Sequence, residues 1–262
     1  MNITRTIQWP DEEILAFLRE LRERTPLTHY ISNQVAANIT ANVLLAVGAS
    51  PAMVISSNEV EGFVKMAQGL LINIGTITSR DERAMLKAAA SAHEAGTPWV
   101  LDPVAVGISE YRTRVSNDLI AFNPSIIRGN ASEILSISGA FGGSKGTDST
   151  ASSTDAVDAA RYIAAKTKSV VAVSGEVDYI TDGESVVAVP GGNVIMTRVT
   201  AIGCALGALM AAFLPVTGDA LKSAVAASAV YAAAGERAFK NSKGTGSFAA
   251  AFLDALYLLG TE

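Results

Sequence analysis

"TPWVLDP", residues 97–103, is a short apolar run that ends in an aspartate and a proline. The segment "TPWVL" (97–101) reads as a buried strand, because a brief apolar run bounded by turn residues fits one. Pro103 has no N–H for a ladder and restricts the residue before it, so the strand should stop with the Asp102 carboxylate at its C-terminal end. In an open parallel sheet that is the edge where ligands bind. Runs of the same kind stand at "PAMVI" (51–55), "LLINI" (70–74), "SIIR" (125–128) and "SVVAV" (169–173), with helical-period segments between most of them. That alternation predicts a three-layer α/β/α architecture with a mostly parallel central sheet and helices on both faces. Two more strands, "VDYIT" (177–181) and "SVVAV" (185–189), flank Asp182-Gly183, a hairpin signal that predicts an antiparallel edge. From residue 203 onward the pattern is helical, over 204–213, 219–240 and 247–258. No repeat or linker divides residues 1–262, which read as a single domain, and the Gly-, Ser- and Thr-rich stretch 138–155 reads as a mobile loop within it.

Composition narrows the function. Of the 262 residues 49% are hydrophobic, enough for a large core, while the net charge of −5 offers no basic surface for nucleic acid or an anionic membrane. The N-terminus lacks a basic region followed by an apolar core, and no apolar run reaches the ~18 residues of a membrane span, so a cytoplasmic protein acting on small molecules is expected. One cysteine and two histidines allow neither an internal disulfide nor a zinc cluster. Any metal is expected to be held by oxygen.

The motifs point to anions. No Gly-Lys pair occurs, which excludes a Walker A loop. "GTGSFA" (244–249) has the glycine spacing of a dinucleotide fingerprint but no strand before it, so a turn opening the last helix is the simpler reading. In "RGNASEI" (128–134), Asn130 stands where it would cap a helix and Glu133 where it would reach back to the cap. The alternative places Glu133 and Asp102 on one sheet edge, where two carboxylates and water suit Mg²⁺ and a phosphate chain. Arg128 reads equally as a forked phosphate donor or as half of a surface ion pair. Cys204, the sole thiol, sits where a helix begins in "VTAIGCALGALMAAF" (199–213). It is there either for packing or because unpaired N–H groups at a helix start favour anions and lower a thiol pKa.

Six segments together resemble the hydroxyethylthiazole kinase family of the ribokinase-like superfamily: "THYISNQVAANITANVLLAVGASPAMV" (28–54), "NIGT" (73–76), "LDPVAVG" (101–107), "IRGNASEI" (127–134), "VAVSGEVDYITDG" (171–183) and "IGCALGALMAAF" (202–213). The match runs from about Leu27 to the final helix. The resemblance implies transfer of the γ-phosphate of ATP to the primary alcohol of 4-methyl-5-(2-hydroxyethyl)thiazole in thiamine salvage, with Mg²⁺, in a homotrimer with sites at subunit interfaces. It implies a thiazole pocket at Asn33, Met53, Gly75 and Thr76, extended to Ala201. On the ATP side it implies Arg128, Asn130, Ser174 and Gly175, with Gly244 and Gly246 near the adenosine. Asp102 and Glu133 fall to the metal, directly or through water, and Cys204 beside Gly203 takes the place where most of the superfamily has an aspartate base.

One position departs from the family pattern. Where V-T-G-T-G-C is common, this chain reads Val199-Thr200-Ala201-Ile202-Gly203-Cys204. If that position needs a positive φ, the Ala201 methyl is unwelcome. The N–H groups of Gly203, Cys204 and Ala205 are expected to form the anion hole. The competing readings are a related kinase of pyrimidine alcohols and a thiazole- or nucleotide-binding module without catalysis.

Overall fold

A computed structural model describes residues 3–140 and 152–261. The first half runs β1 (Arg5–Thr6), α1 (Glu12–Arg24), β2 (Leu27–Ile31), α2 (Ala37–Val47), β3 (Ser50–Ala52), α3 (Val60–Val64), β4 (Gly69–Asn73), α4 (Ser79–Ala95), β5 (Trp99–Asp102), α5 (Glu110–Ile120), β6 (Ile126–Asn130) and α6 (Ala131–Ala140). Then come α7 (Val157–Thr167), β7 (Val170–Ser174), β8 (Val177–Thr181), β9 (Val186–Pro190), a 3-10 turn (Val194–Arg198), α8 (Ile202–Thr217), α9 (Ala220–Lys240) and α10 (Thr245–Leu258). The mobile-loop reading of 138–155 falls largely on residues 141–151, outside the described residues.

The described strands form one sheet in the order β1-β9-β8-β7-β6-β5-β4-β2-β3. From β7 to β3 every pairing is parallel, so these strands end at a common edge. β8 is antiparallel to both β7 and β9, as the Asp182-Gly183 turn predicts. Outside β9 lies β1, parallel to it and too short and polar to show in the sequence. β2 was also hidden, because Thr28 and His29 interrupt its apolar pattern although both are fully buried. "PAMVI" is a strand only as far as Ala52. Pro51 is tolerated there because β3 is the outermost strand.

Strand alternation sorts the side chains into two cores. Leu71 and Val100 face α1, α2, α8, α9 and α10, whereas Leu70, Ile72, Trp99 and Leu101 face α3 to α7. This is the expected three-layer α/β/α arrangement.

The element that positions the site is α8, apolar all round because it lies between the sheet and the helices behind it. Pro215 has no N–H to give the Ala211 carbonyl, and Gly69 packs against that carbonyl with no room for a Cβ. At the other end Gly207 rides on Leu71 and Asp102, where a Cβ would stand 3.0 Å and 3.9 Å from their side chains. The helix therefore runs antiparallel to β4 and β5, and its N-terminus opens at the C-terminal edge of the sheet. Among the described residues no helix is long and apolar enough to cross a membrane.

Candidate active site

The parallel register places polar residues side by side where the strands end. Asn73 pairs with Asp102, and Asn130 with Ser174. Their side chains join in one chain of hydrogen bonds. Asn33, just after β2, donates from Nδ2 to Asn73 Oδ1 at 2.9 Å and to Cys204 Sγ at 3.5 Å. Asn73 Nδ2 donates to Asp102 Oδ2 at 2.7 Å, and Arg128 reaches the same oxygen at 3.4 Å. The other arm of Arg128 donates to Ser174 Oγ at 2.7 Å. Gly75 N donates to Asn73 Oδ1 at 3.0 Å, and Thr76 Oγ1 accepts from Gln34 N at 3.0 Å, so the loop after β4 is tied to the loop after β2. Arg112 of α5 fastens the same region from behind, donating to the carbonyls of Ile74, Gly75 and Val104.

Asp102 is completely buried, which pushes its carboxyl up to about 7; Glu133 adds to the rise, while Arg128 and Asn73 oppose it. Burial also works against the charge of Arg128, but Asp102, Glu133, Cys204 and Asp178 outweigh it and hold the guanidinium above its usual range. The pair is not a surface ion bridge. Burial and the nearby Asp102 raise the Cys204 thiol, and Asn73, Arg128 and Asn33 only partly offset them. The lowered thiol pKa expected from a helix start is thus reversed, because desolvation dominates at this depth.

Glu133 is the capping carboxylate of α6. Its Oε2 accepts the Asn130 N–H at 2.8 Å, its Oε1 accepts the Ala105 N–H at 2.8 Å, and Asn130 Oδ1 accepts the Glu133 N–H at 3.0 Å. Asp102 Oδ1, in contrast, is buried with no hydrogen-bond partner. Among the described residues no three His, Cys, Asp or Glu side chains gather as a metal cluster. A carboxylate oxygen without a partner, with the charge of Glu133 near enough to raise the Asp102 carboxyl, fits Mg²⁺, which keeps most of its waters and takes its remaining ligands from phosphate.

The start of α8 faces this cluster. Ala201, its N-cap, has φ 66°, in the left-handed region that the Gly-to-Ala change made doubtful. Ala205 N is already spent on Ala201 O at 3.1 Å. The N–H groups without a partner within the helix are therefore those of Ile202, Gly203 and Cys204, one residue earlier than the expected Gly203, Cys204 and Ala205. Arg128 lies over Gly203, 3.5 Å from where a Cβ would stand. Tyr231 of α9 fixes the turn by donating to Ile202 O at 2.6 Å.

A cavity of about 790 Å³ opens beside this turn, lined by Arg128, Ser174, Gly175, Gly203 and Tyr231 among others. Gly244 and Gly246, at the exposed start of α10, do not line it. Met53 is 55% exposed just beyond β3, so it is not a core methionine. Two residues escaped sequence reasoning. Asn73 carries the signal that marked Asp102, a polar residue closing an apolar strand, and it went unnamed. Asp178 lines the cavity and accepts the Gly175 N–H at 3.0 Å; burial raises its carboxyl.

The layered fold, with its polar strand ends meeting a helix N-terminus, is of the ribokinase-like kind. A ribokinase-like superfamily protein from Enterococcus faecalis superposes with a TM-score of 0.67 at 13% identity, over 98% of this chain and 97% of that one, which speaks for the fold alone. The hydroxyethylthiazole kinase family profile matches residues 18–262. A hydroxyethylthiazole kinase of Leptospira interrogans is 56% identical over 254 residues, 97% of this chain and 96% of its own. The solved hydroxyethylthiazole kinase protein of Pyrococcus horikoshii is 38% identical with a TM-score of 0.89, covering 95% of this chain and 94% of that one. The chain belongs to the hydroxyethylthiazole kinase family.

Proposed function

We propose that the protein transfers the γ-phosphate of ATP to the primary hydroxyl of 4-methyl-5-(2-hydroxyethyl)thiazole, in thiamine salvage, with Mg²⁺ as the metal. The observation that carries this reading is the convergence of Asn33, Asp102, Arg128 and Cys204, distant in sequence, at the N-terminus of α8. In this reading the thiazole lies against Asn33, Gly75, Thr76 and Ala201, with Met53 closing the pocket. ATP lies along Arg128, Asn130, Ser174 and Gly175, and its adenosine extends toward Gly244 and Gly246.

Phosphoryl transfer through a loose transition state asks the protein mainly for positioning and for donors aimed at developing charge. Arg128 already spends one donor each on Asp102 and Ser174, so its plane is fixed; Nε is buried without a partner, and the second N–H groups of the two terminal nitrogens serve as an anion clamp beside the cavity that Arg128 lines. The N–H groups of Ile202, Gly203 and Cys204 meet the transferring group from the other side. Cys204 orients the acceptor hydroxyl by a hydrogen bond; the hydroxyl proton leaves late, to the small fraction of Cys204 present as thiolate, whose own proton has gone to water. Asp102 would hold Mg²⁺ directly and Glu133 through water; when bound, the ion neutralises phosphate charge.

Residues 1–262 act in this reading as one cytoplasmic domain in a homotrimer. The exposed Val35, Met53 and Ile55 near the ends of β2 and β3 supply apolar surface for a neighbouring subunit that would complete the pocket around Met53.

Coupled ADP release with the thiazole alcohol, ATP and Mg²⁺ tests the reading, and sedimentation of the same sample at three times the chain mass tests the assembly. Turnover only with a pyrimidine alcohol would overturn the substrate assignment. Binding of the thiazole alcohol without turnover would leave a non-catalytic module.

A further inference from the structure

Asn73 closes β4 fully buried, and its amide has only one possible orientation. Oδ1 receives Asn33 Nδ2 and the backbone N–H of Gly75, which cannot act as an acceptor, so Nδ2 must face Asp102. One small side chain therefore touches both halves of the site. On one side are Asn33, hydrogen-bonded to Cys204, and the Gly75-Thr76 loop. On the other is Asp102, whose Oδ2 is shared by Asn73 and Arg128 while Oδ1 is left bare. Resting on the kinase reading above, we propose that Asn73 is a positioning residue: it fixes the rotation of the Asp102 carboxylate so that Oδ1 is free for the metal, and it locks that rotation to the placement of Asn33 beside the acceptor hydroxyl.

The alternative role, a buried amide that merely satisfies its neighbours, makes different predictions. Asn73→Asp keeps the shape and the acceptor for Gly75 but replaces the donor to Asp102, and Asn73→Leu removes both functions. Positioning predicts that both variants lower kcat by about 10²-fold while KM for the thiazole alcohol and for ATP stays within about threefold, as for an interaction needed in the transition state. The double variant Asn33→Ala/Asn73→Leu should be slower than either single variant but by less than the product of their effects, since Asn33 acts partly through Asn73 and partly directly on Cys204 and the thiazole.

Calorimetric ADP binding gives a readout independent of turnover. The gain in ADP affinity on adding Mg²⁺ should shrink about tenfold in both variants, with metal-free ADP affinity unchanged. Variants with the parent's kcat and Mg²⁺ gain overturn the proposal. So does an equal loss of ADP affinity with and without Mg²⁺, which would make Asn73 a structural residue. If the parent turns over no thiazole alcohol the substrate reading fails, and the Mg²⁺ arm still decides the role of Asn73.

Discussion

At the scale of single residues, the sole cysteine stands where the sequence motif placed it, but its electrostatics are set by its neighbours. Burial and Asp102 hold the thiol protonated at neutral pH, so in the proposed reaction it starts as a hydrogen-bonding group and not as a ready base. A weak base contributes less than the usual ~10² to 10⁴-fold of general base catalysis. Cys204→Ala should therefore lower kcat by about tenfold to 10²-fold, and Cys204→Asp, which restores a carboxylate to the helix start, should hold or raise it. Coupled ADP release under saturating substrates checks both. An alanine variant as fast as the parent would remove the thiol from the reaction.

At the scale of elements, α8 is the central packing helix and, in the proposed reaction, the frame of the anion hole, and its entry is strained. Ala201 sits at φ 66° without a side chain that can cap, where a glycine would fit at no steric cost. The left-handed conformation costs an alanine about 1 kcal/mol or more, and alanine is also a poor N-cap. Ala201→Gly should stabilise the fold by about 1 kcal/mol, raising Tm by about 2–4 °C in a chain of this size, as thermal unfolding by circular dichroism would register. An unchanged or lower Tm would mean that the methyl contributes packing that offsets its strain. Tyr231, bonded to Ile202 O, ties the same turn to α9, so the entry is held from two elements.

For the whole molecule, one contribution to the pH dependence of stability comes from a polar group inside the sheet. His29 in β2 is fully buried and edge-on to Phe63. Its Nε2 lies 2.7 Å from Val54 O, and since a carbonyl cannot donate, that nitrogen carries the proton, while Nδ1 has no partner. Burial lowers its pKa, partly offset by the Val54 bond. Below about pH 6.5 the unfolded chain binds a proton that the native state refuses, so the His29 contribution is complete above that pH and declines as pH falls toward the native pKa. The limiting slope is about 1.4 kcal/mol per pH unit. The raised carboxyls of Asp102 and Asp178 work the other way over the same range, because the native state takes up their protons first. Denaturant midpoints measured between pH 7.5 and 5 should therefore drop more, or rise less, for the parent than for His29→Gln; parallel curves would show that His29 does not contribute to the pH dependence.

Much of the fold was legible in the sequence. Apolar runs alternating with helical segments gave the layers, because burial on two faces demands that pattern, and Asp182-Gly183 gave the antiparallel turn, because only such residues suit its backbone. Pro103 fixed Asp102 at a strand end for the same local reason. The hidden strands, β1 and β2, carry polar side chains whose burial depends on neighbours far away in the chain. The site followed the same division. Sequence could name Asp102, Glu133, Arg128 and Cys204 by residue type and position, since capping, strand ends and helix starts are local. Only tertiary structure decided that Glu133 spends both oxygens on backbone N–H groups, that Asp102 keeps one oxygen bare, that desolvation raises the thiol, and that Asn73 joins the two halves. Hydrogen-bond partners and dielectric surroundings come from the packing of residues distant in sequence, and no local pattern encodes them.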